Sequence, residues 1–300
     1  MQSESIALEF ERHRQTLQGL AYRMLGSITE AQDVVQETYL RWNRQAGADI
    51  HSAKGWLIKT CSRLAMDQLK SARKKREVYR GPWLPEPYLE DPAEPPDRKT
   101  EVDDSVSMAL LVALEKLTPQ ERAAILLHDV FSYSFEEVGS ILEKSPAACR
   151  KLASRARGSI QQDKPRFKPS EKEHRRLLES FFEAVYQGRI NQLESLLSES
   201  VELHSDGGGK ALAVGKILSG NTQVAKFFCG LARLLEKGGS TFHMEMRRFN
   251  GLPGLLLFEE NTLTTAISLK VEDGKIQGIY ALRNPDKLAP FSCGTQPKIK

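Results

Sequence analysis

The sequence predicts a multidomain protein: two all-α helical domains, the second a helix-turn-helix, followed by an α+β domain. Three observations lead there. Apolar residues recur at three- and four-residue steps over residues 8–76 and again over 105–160. A proline- and acid-rich stretch separates these two helical regions, and after residue 170 helical stripes give way to alternating strands joined by a tight turn. A chain of 300 residues suits two or three compact units at about 100 to 200 residues each.

In the first helical region, Leu17, Leu20, Met24 and Leu25 mark the buried stripe of one helix. Thr29 followed by Gln32 has capping-box spacing and predicts the start of a second. Its Val34, Val35, Thr38 and Trp42 face inward, leaving Glu30, Asp33, Gln36, Glu37 and Arg41 as an acidic and polar outer stripe. A third helix from about Ala53 sets Leu57, Cys61, Leu64 and Ala65 on one face and Trp56, Thr60, Arg63, Asp67 and Lys70 on another. It ends in Lys70, Arg73, Lys74, Lys75 and Arg76, so the region spans 1–77.

Residues 78–104 hold six of the fourteen prolines and many acids, which predicts an extended, non-helical linker. Helical patterning returns over 105–162 with start signals at Thr118-Pro119 with Glu121, at Ser134 with Glu137, and at Ser145-Pro146. The brief segment Glu143 to Ser145 between two short helices is the helix-turn-helix layout. The second of these, Ala147 to Arg157, carries four basic residues and no acid in eleven positions. Cys149, Leu152, Ala153 and Ala156 can pack inward while Arg150, Lys151, Ser154, Arg155 and Arg157 face out. Such a helix suits the major groove, where arginine pairs with guanine and the other cations neutralise phosphates; taken alone it suits a solvated basic face equally well. The aromatic and basic face with Trp56, Arg63, Lys70, Arg73 and Arg76 is compatible with single-stranded DNA.

After a charged hinge, 163–170, residues 171–300 change character. Leu177, Phe181, Ala184 and Val185 form one helical stripe, and Val224, Phe227, Phe228, Leu231 and Leu234 another. Leu263, Thr265, Ile267, Leu269 and Val271 then alternate as one buried face of a strand, which Asp273-Gly274 turns into a partner through Ile276 to Arg283. Helices first and antiparallel strands later predict α+β.

The composition narrows the chemistry. The net charge is only +4, so a nucleic-acid surface has to come from clustering. Cys61, Cys149, Cys229 and Cys293 lie far apart without a C-x-x-C pair, which argues for reduced thiols rather than a metal site. No apolar run of about 18 residues occurs, so neither signal core nor membrane span is expected, and the location expected is cytoplasmic. The stretch from Asp206 to Lys216 fails the phosphate-loop frame at Lys210 and at Ile217. No cofactor and no metal are expected.

Residues 20–44, LAYRMLGSITEAQDVVQETYLRWNR, with 55–77, GWLIKTCSRLAMDQLKSARKKRE, resemble sigma region 2, and 114–160 resemble sigma region 4. The absence of regions 1.1 and 3 resembles the extracytoplasmic-function group. Three further segments, GPWLPEP in the linker, DGGGK at Asp206 to Lys210 and NPDKL at Asn284 to Leu288, are similar to signatures of those members with a C-terminal SnoaL-like domain of the NTF2-like cone fold. The resemblance implies that Asp33, Gln36 and Glu37 dock on the β′ clamp helices of core polymerase, that region 4 meets the β flap, and that the two regions read the downstream and upstream promoter boxes. It also implies regulation within the chain through Trp83, Leu84, Pro85, Asp206, Gly207, Gly208, Gly209, Lys210, Asn284, Pro285, Asp286, Lys287 and Leu288. The glycine loop could dock region 2 or the Trp83 segment, or simply connect strands.

Two rivals are open at this point. The cone fold also hosts enzymes and ligand sensors, for which His204, Asp206, His243 and Tyr280 are the pocket candidates and a small molecule the candidate partner. Alternatively, the chain is a one-component helix-turn-helix regulator that binds duplex DNA by itself.

Overall fold

The structure is a computed structural model describing residues 2–45, 50, 52–88, 107–161, 170–239 and 241–292. The chain forms two compact units. Among the described residues, one takes those of 1–77 and 110–161, and the other takes 78–88, 107–109, 170–239 and 241–292. Both helical regions therefore share a unit, whereas the first part of the linker belongs with the C-terminal domain.

In the first unit, α1 (Gln2–Leu25), α2 (Ile28–Asn43) and α3 (Ala53–Glu77) pack on one another. Phe10, Leu17, Leu20, Met24 and Leu25 meet Val34, Val35, Leu57, Ile58, Cys61 and Leu69 in a core closed to solvent. The cap of α2 is Ser27 rather than Thr29: its side chain accepts from the Glu30 amide, and Thr29 lies exposed inside the first turn. The reason lies one residue upstream, where Gly26 at φ 68° ends α1 and lets the chain re-enter a helix at once.

The second helical region follows its start signals. Thr118 and Glu121 form a capping box with Pro119 in the first turn of α5 (Pro119–Ile125), which widens into a π turn, Leu126–Val130. Ser134 and Glu137 cap α6 (Phe135–Leu142). Ser145 accepts from the Ala148 amide at the start of α7 (Pro146–Gln161). A short α4 (Met108–Leu114) precedes them. Glu143 turns the chain at φ 55°, and Gly139 allows the turn to close: a Cβ there would stand 2.6 Å from the Lys144 carbonyl oxygen.

In the second unit, α8 (Glu171–Tyr186), α9 (Ile190–Leu196) and α10 (Asn221–Gly238) cover one face of a six-stranded sheet. Its strands are β1 (Leu197–Asp206), β2 (Leu218–Ser219), β3 (Phe242–Phe249), β4 (Leu252–Glu259), β5 (Thr262–Glu272) and β6 (Lys275–Leu282), in the order β2-β1-β6-β5-β4-β3. All neighbours are antiparallel, the expected β5–β6 pair included, except β1 and β6, which run parallel. The β5–β6 turn is at Asp273 and Gly274, with φ 50° and 70°. Phe181, Leu203, Phe228, Ile267, Leu269, Ile279 and Ala281 fill the helix-covered side. The core takes α10 side chains only as far as Cys229, so the helix overhangs it and Leu234, expected inside, is 68% exposed.

Strand alternation then sends His204, Asp206, Tyr280 and Leu282 to the opposite face, where α11 (Pro285–Ser292) packs on β5. Cys61, Cys149 and Cys229 are free and buried, and burial pushes the Cys61 thiol up to about 12. Cys293, the hinge over 163–169 and the acidic end of the linker lie outside the described residues.

Gly139→Val is expected to lower the denaturation midpoint of the helical unit by an amount corresponding to roughly 1–3 kcal/mol, through overpacking against the Lys144 backbone. Urea unfolding followed by circular dichroism checks it, and an unchanged midpoint would show that the turn is not packed on α6.

Candidate functional site

The second unit builds a seat for the linker. Asp206 ends β1 with no exposed surface, and its carboxylate is surrounded by donors. Oδ1 accepts from the Tyr79 hydroxyl at 2.6 Å and from the Gly208 amide at 3.0 Å. Oδ2 accepts from the Leu84 amide at 2.9 Å and from Lys287 Nζ at 2.7 Å. Lys287 also donates to the Leu84 carbonyl at 2.5 Å and lies 4.1 Å from the centroid of the Trp83 ring. One buried ion pair thus satisfies both backbone groups of Leu84, as burial of polar groups requires. Burial and the neighbouring Asp206 carboxylate push the Tyr79 phenol upward, keeping it a donor.

The loop after Asp206 is shaped to the same end. Gly208 and Gly209 hold φ 62° and 70°. Added Cβ atoms would meet the Ala211 carbonyl oxygen from Gly207 (2.3 Å), the Asn284 amide nitrogen from Gly208 (2.4 Å) and the Arg80 side chain from Gly209 (3.1 Å). Asn284 Nδ2 donates to the Tyr79 oxygen at 2.8 Å, and its Oδ1 accepts from the Asp286 amide at the start of α11. Lys210 and Asp286 pair at 2.6 Å on the exposed rim. Leu84, Pro85, Pro87 and Leu288 are buried. Farther along, Tyr88 and Asn250 exchange hydrogen bonds: the Tyr88 amide donates to Asn250 Oδ1 at 3.1 Å, and the Asn250 amide donates to the Tyr88 carbonyl at 2.9 Å.

The segments WLP, DGGGK and NPDKL are therefore brought together, with the Trp83 segment docked and Pro285 opening α11. Tyr79, Arg80, Tyr88 and Asn250 were not anticipated as partners. The spacing of Tyr79, Trp83 and Tyr88 in a proline-rich stretch is the signal that could have found three aromatics held at a surface. Of the four pocket candidates, His204, Asp206 and Tyr280 lie on the paired strands β1 and β6, and His243 lies on β3. Asp206 lies under the linker, His204 pairs with Glu202 at 3.0 Å near the Tyr280 ring, and His243 stacks on Phe258.

In the helical unit, Asp33 and Gln36 are exposed on α2, and Glu37 pairs with Arg41 at 2.8 Å. Arg41, Arg44, Gln45, Trp56, Thr60 and Arg63 line a cleft of about 320 Å³ between α2 and α3. Lys70 is exposed and pairs with Asp67. Arg63, Arg73 and Arg76, read from the sequence as part of a face compatible with single-stranded DNA, are engaged with the second helical region: Arg63 with Glu143, Arg73 with the carbonyls of Glu115 and Leu117, and Arg76 with Glu115. On α7, Cys149, Leu152, Ala153 and Ala156 are buried, and Arg150, Lys151, Ser154 and Arg155 are exposed. Arg157 pairs with Asp129 at 2.5 Å, and Arg150 and Arg155 lie 3.8 and 4.0 Å from Glu136 and Glu121. No group of three or more His, Cys, Asp or Glu suited to a metal ion occurs among the described residues. None of their helices is long and apolar enough to cross a membrane.

Comparison with known proteins agrees with this geometry. Residues 10–75 match the family model for sigma-70 region 2, and residues 107–160 match that for sigma-70 region 4. The chain is 34% identical over 290 residues to the ECF RNA polymerase sigma factor SigJ of Mycobacterium tuberculosis, covering 93% of this chain and 92% of SigJ. It is 31% identical over 292 residues to the probable ECF RNA polymerase sigma factor SigI of the same organism, covering 97% of each. The crystal structure of SigJ superposes with a TM-score of 0.76 at 31% identity, covering 94% of this chain and 98% of SigJ. With regions 2 and 4 in order, an α+β domain with a six-stranded sheet behind them and likeness over nearly the whole length, the chain belongs to the extracytoplasmic-function sigma factors, which direct core RNA polymerase to promoters and start transcription there.

Proposed function

We propose that α2, α3 and α7 carry the polymerase and promoter contacts, and that the C-terminal domain governs them by holding the linker. The seating of Leu84 on the Asp206–Lys287 pair carries this reading.

Asp33, Gln36 and Glu37 present an acidic, solvent-facing stripe suited to the basic β′ clamp helices. The second helical region meets the β flap. The α2–α3 cleft suits one unstacked base of the downstream box, with Trp56 as a stacking surface and Arg41, Arg44 and Arg63 for its phosphates. Lys70, Arg73 and Arg76 continue that track along α3. Arg150, Lys151, Ser154, Arg155 and Arg157 read and grip the upstream box in the major groove. The polymerase performs the chemistry, in the cytoplasm, and this chain acts as its specificity subunit.

The linker connects the two promoter-reading regions, so it must be free to follow the polymerase channel when they bind separate boxes. Residues 79–88 cannot do so while Tyr79 and Leu84 are held by Asp206 and Lys287. Seating therefore restrains initiation, and release permits it. The acid–base alternative loses support because Asp206, one of its candidates, is engaged by the linker, Lys287 and the Gly208 amide.

Run-off transcription with purified core polymerase tests the assignment. The full chain is expected to support specific initiation, and Asp33→Lys with Glu37→Lys to abolish it without a change in circular dichroism. Promoter binding by the free chain with no gain on adding core would favour the one-component regulator.

The restraint has its own test. Asp206→Asn removes the charge facing Lys287, and breaking one side of a buried pair costs about 3–5 kcal/mol. We expect it to raise the run-off yield roughly tenfold or more and to accelerate proteolysis between residues 79 and 88. Faster cleavage with an unchanged yield would remove the regulatory role.

A further inference from the structure

We infer that Glu115 is the keystone of an intramolecular clasp through which region 4 occupies cations that region 2 offers to promoter DNA. The inference rests on the reading of α3 as a DNA-facing helix.

Glu115 follows the last residue of α4, and its side chain is 19% exposed. Its carboxylate holds two arginines at once: Oε1 accepts from Arg122 at 2.7 Å, and Oε2 accepts from Arg76. Its backbone carbonyl accepts from Arg73 at 3.2 Å, and that of Leu117 accepts from the same guanidinium. Arg122, 1% exposed, crosses in the other direction and donates to the Leu114 carbonyl and, at 2.8 Å, to the Met24 carbonyl at the end of α1. Arg76 donates to Leu25 beside it at 2.8 Å. At the far end of the seam, Arg63 donates to the Ile141 carbonyl at 3.3 Å and to Glu143 at 2.5 Å.

These acceptors share a physical origin. The last carbonyls of a helix have no partner within it and carry its negative pole. The carbonyls of Leu114, Glu115 and Leu117 lie at or just beyond the end of α4, and that of Ile141 lies in the last turn of α6. Arginines from α3 thus cap two short helices of region 4. Arg63 to Arg76 spans roughly 20 Å of helix, the reach of several nucleotides. A guanidinium capping a helix cannot turn the same N–H groups toward phosphate, and the Glu115 carboxylate repels phosphate from the same place. Region 4 and a DNA strand are therefore alternative occupants of one row of cations.

The test uses the full chain with spin labels introduced at two exposed positions of the helical unit, Lys54→Cys and Ser140→Cys, and a fluorescent single-stranded DNA of about twenty nucleotides. Glu115→Gln is expected to lengthen or broaden the label distance and to tighten DNA binding roughly five- to tenfold at low salt. Glu143→Gly opens the other end without straining the backbone, because that position holds φ 55°, and serves if Glu115→Gln unfolds. Unchanged distance and affinity in a folded variant would overturn the clasp, and opening without tighter binding would overturn the competition. Adding Arg73→Ala and Arg76→Ala should remove the gain; a gain that survives would instead contradict the DNA role of α3.

Discussion

A carboxylate with no access to water has to find all its hydrogen bonds in protein, and Asp206 finds half of them on a segment more than a hundred residues away. Tyr79 and the Leu84 amide come from the linker, Lys287 from α11, and Gly208 from the loop that Asp206 itself begins. Remove any one and a buried charge is left short of a partner, which costs more than the intact pair contributes. The arrangement is therefore better suited to deciding where the linker lies than to stabilising the sheet. The left-handed glycines and the close approach of Asn284 and Arg80 follow from the need to bring three distant stretches of chain against a single side chain.

The linker seat and the Glu115 seam use the same chemistry. In both, a long cation donates to backbone carbonyls: Lys287 at Leu84, Arg73 and Arg122 near the end of α4, Arg63 at the end of α6. Arg76 is engaged in the helical unit, and Tyr79, three residues on, is engaged in the C-terminal one. A sigma factor has to switch from one set of partners to another, and charged contacts with partly exposed rims exchange more readily than a packed apolar core does.

Local chemistry was legible in the sequence wherever it decides structure over a few residues. The capping boxes at Thr118 and Ser134, the turn at Asp273-Gly274, the buried stripe of α7 and the existence of an α+β tail all stand in the structure. Thr29 misled because it has the right spacing while Gly26 ends the previous helix two residues too early for it to serve as the cap. The linker reads as a polar spacer because its prolines and acids exclude a helix, and composition carries no sign that Leu84, Pro85 and Pro87 are buried by residues far along the chain. Arg63, Arg73 and Arg76 look free for a related reason: their acceptors are mostly backbone carbonyls, which leave no mark on residue type. Family resemblance supplied the three motifs of the seat, but not the pairing of Tyr79 with Asp206 or of Tyr88 with Asn250.

The most direct measurement is site-resolved amide hydrogen exchange at Leu84 and Asn250, in the free chain and in its complex with core polymerase. Both amides should be protected in the free chain, because each donates across the linker seat, and should exchange at close to unprotected rates once core is bound. Protection that is absent in the free chain, or that persists unchanged in the complex, would contradict a linker held by Asp206 and released for transcription.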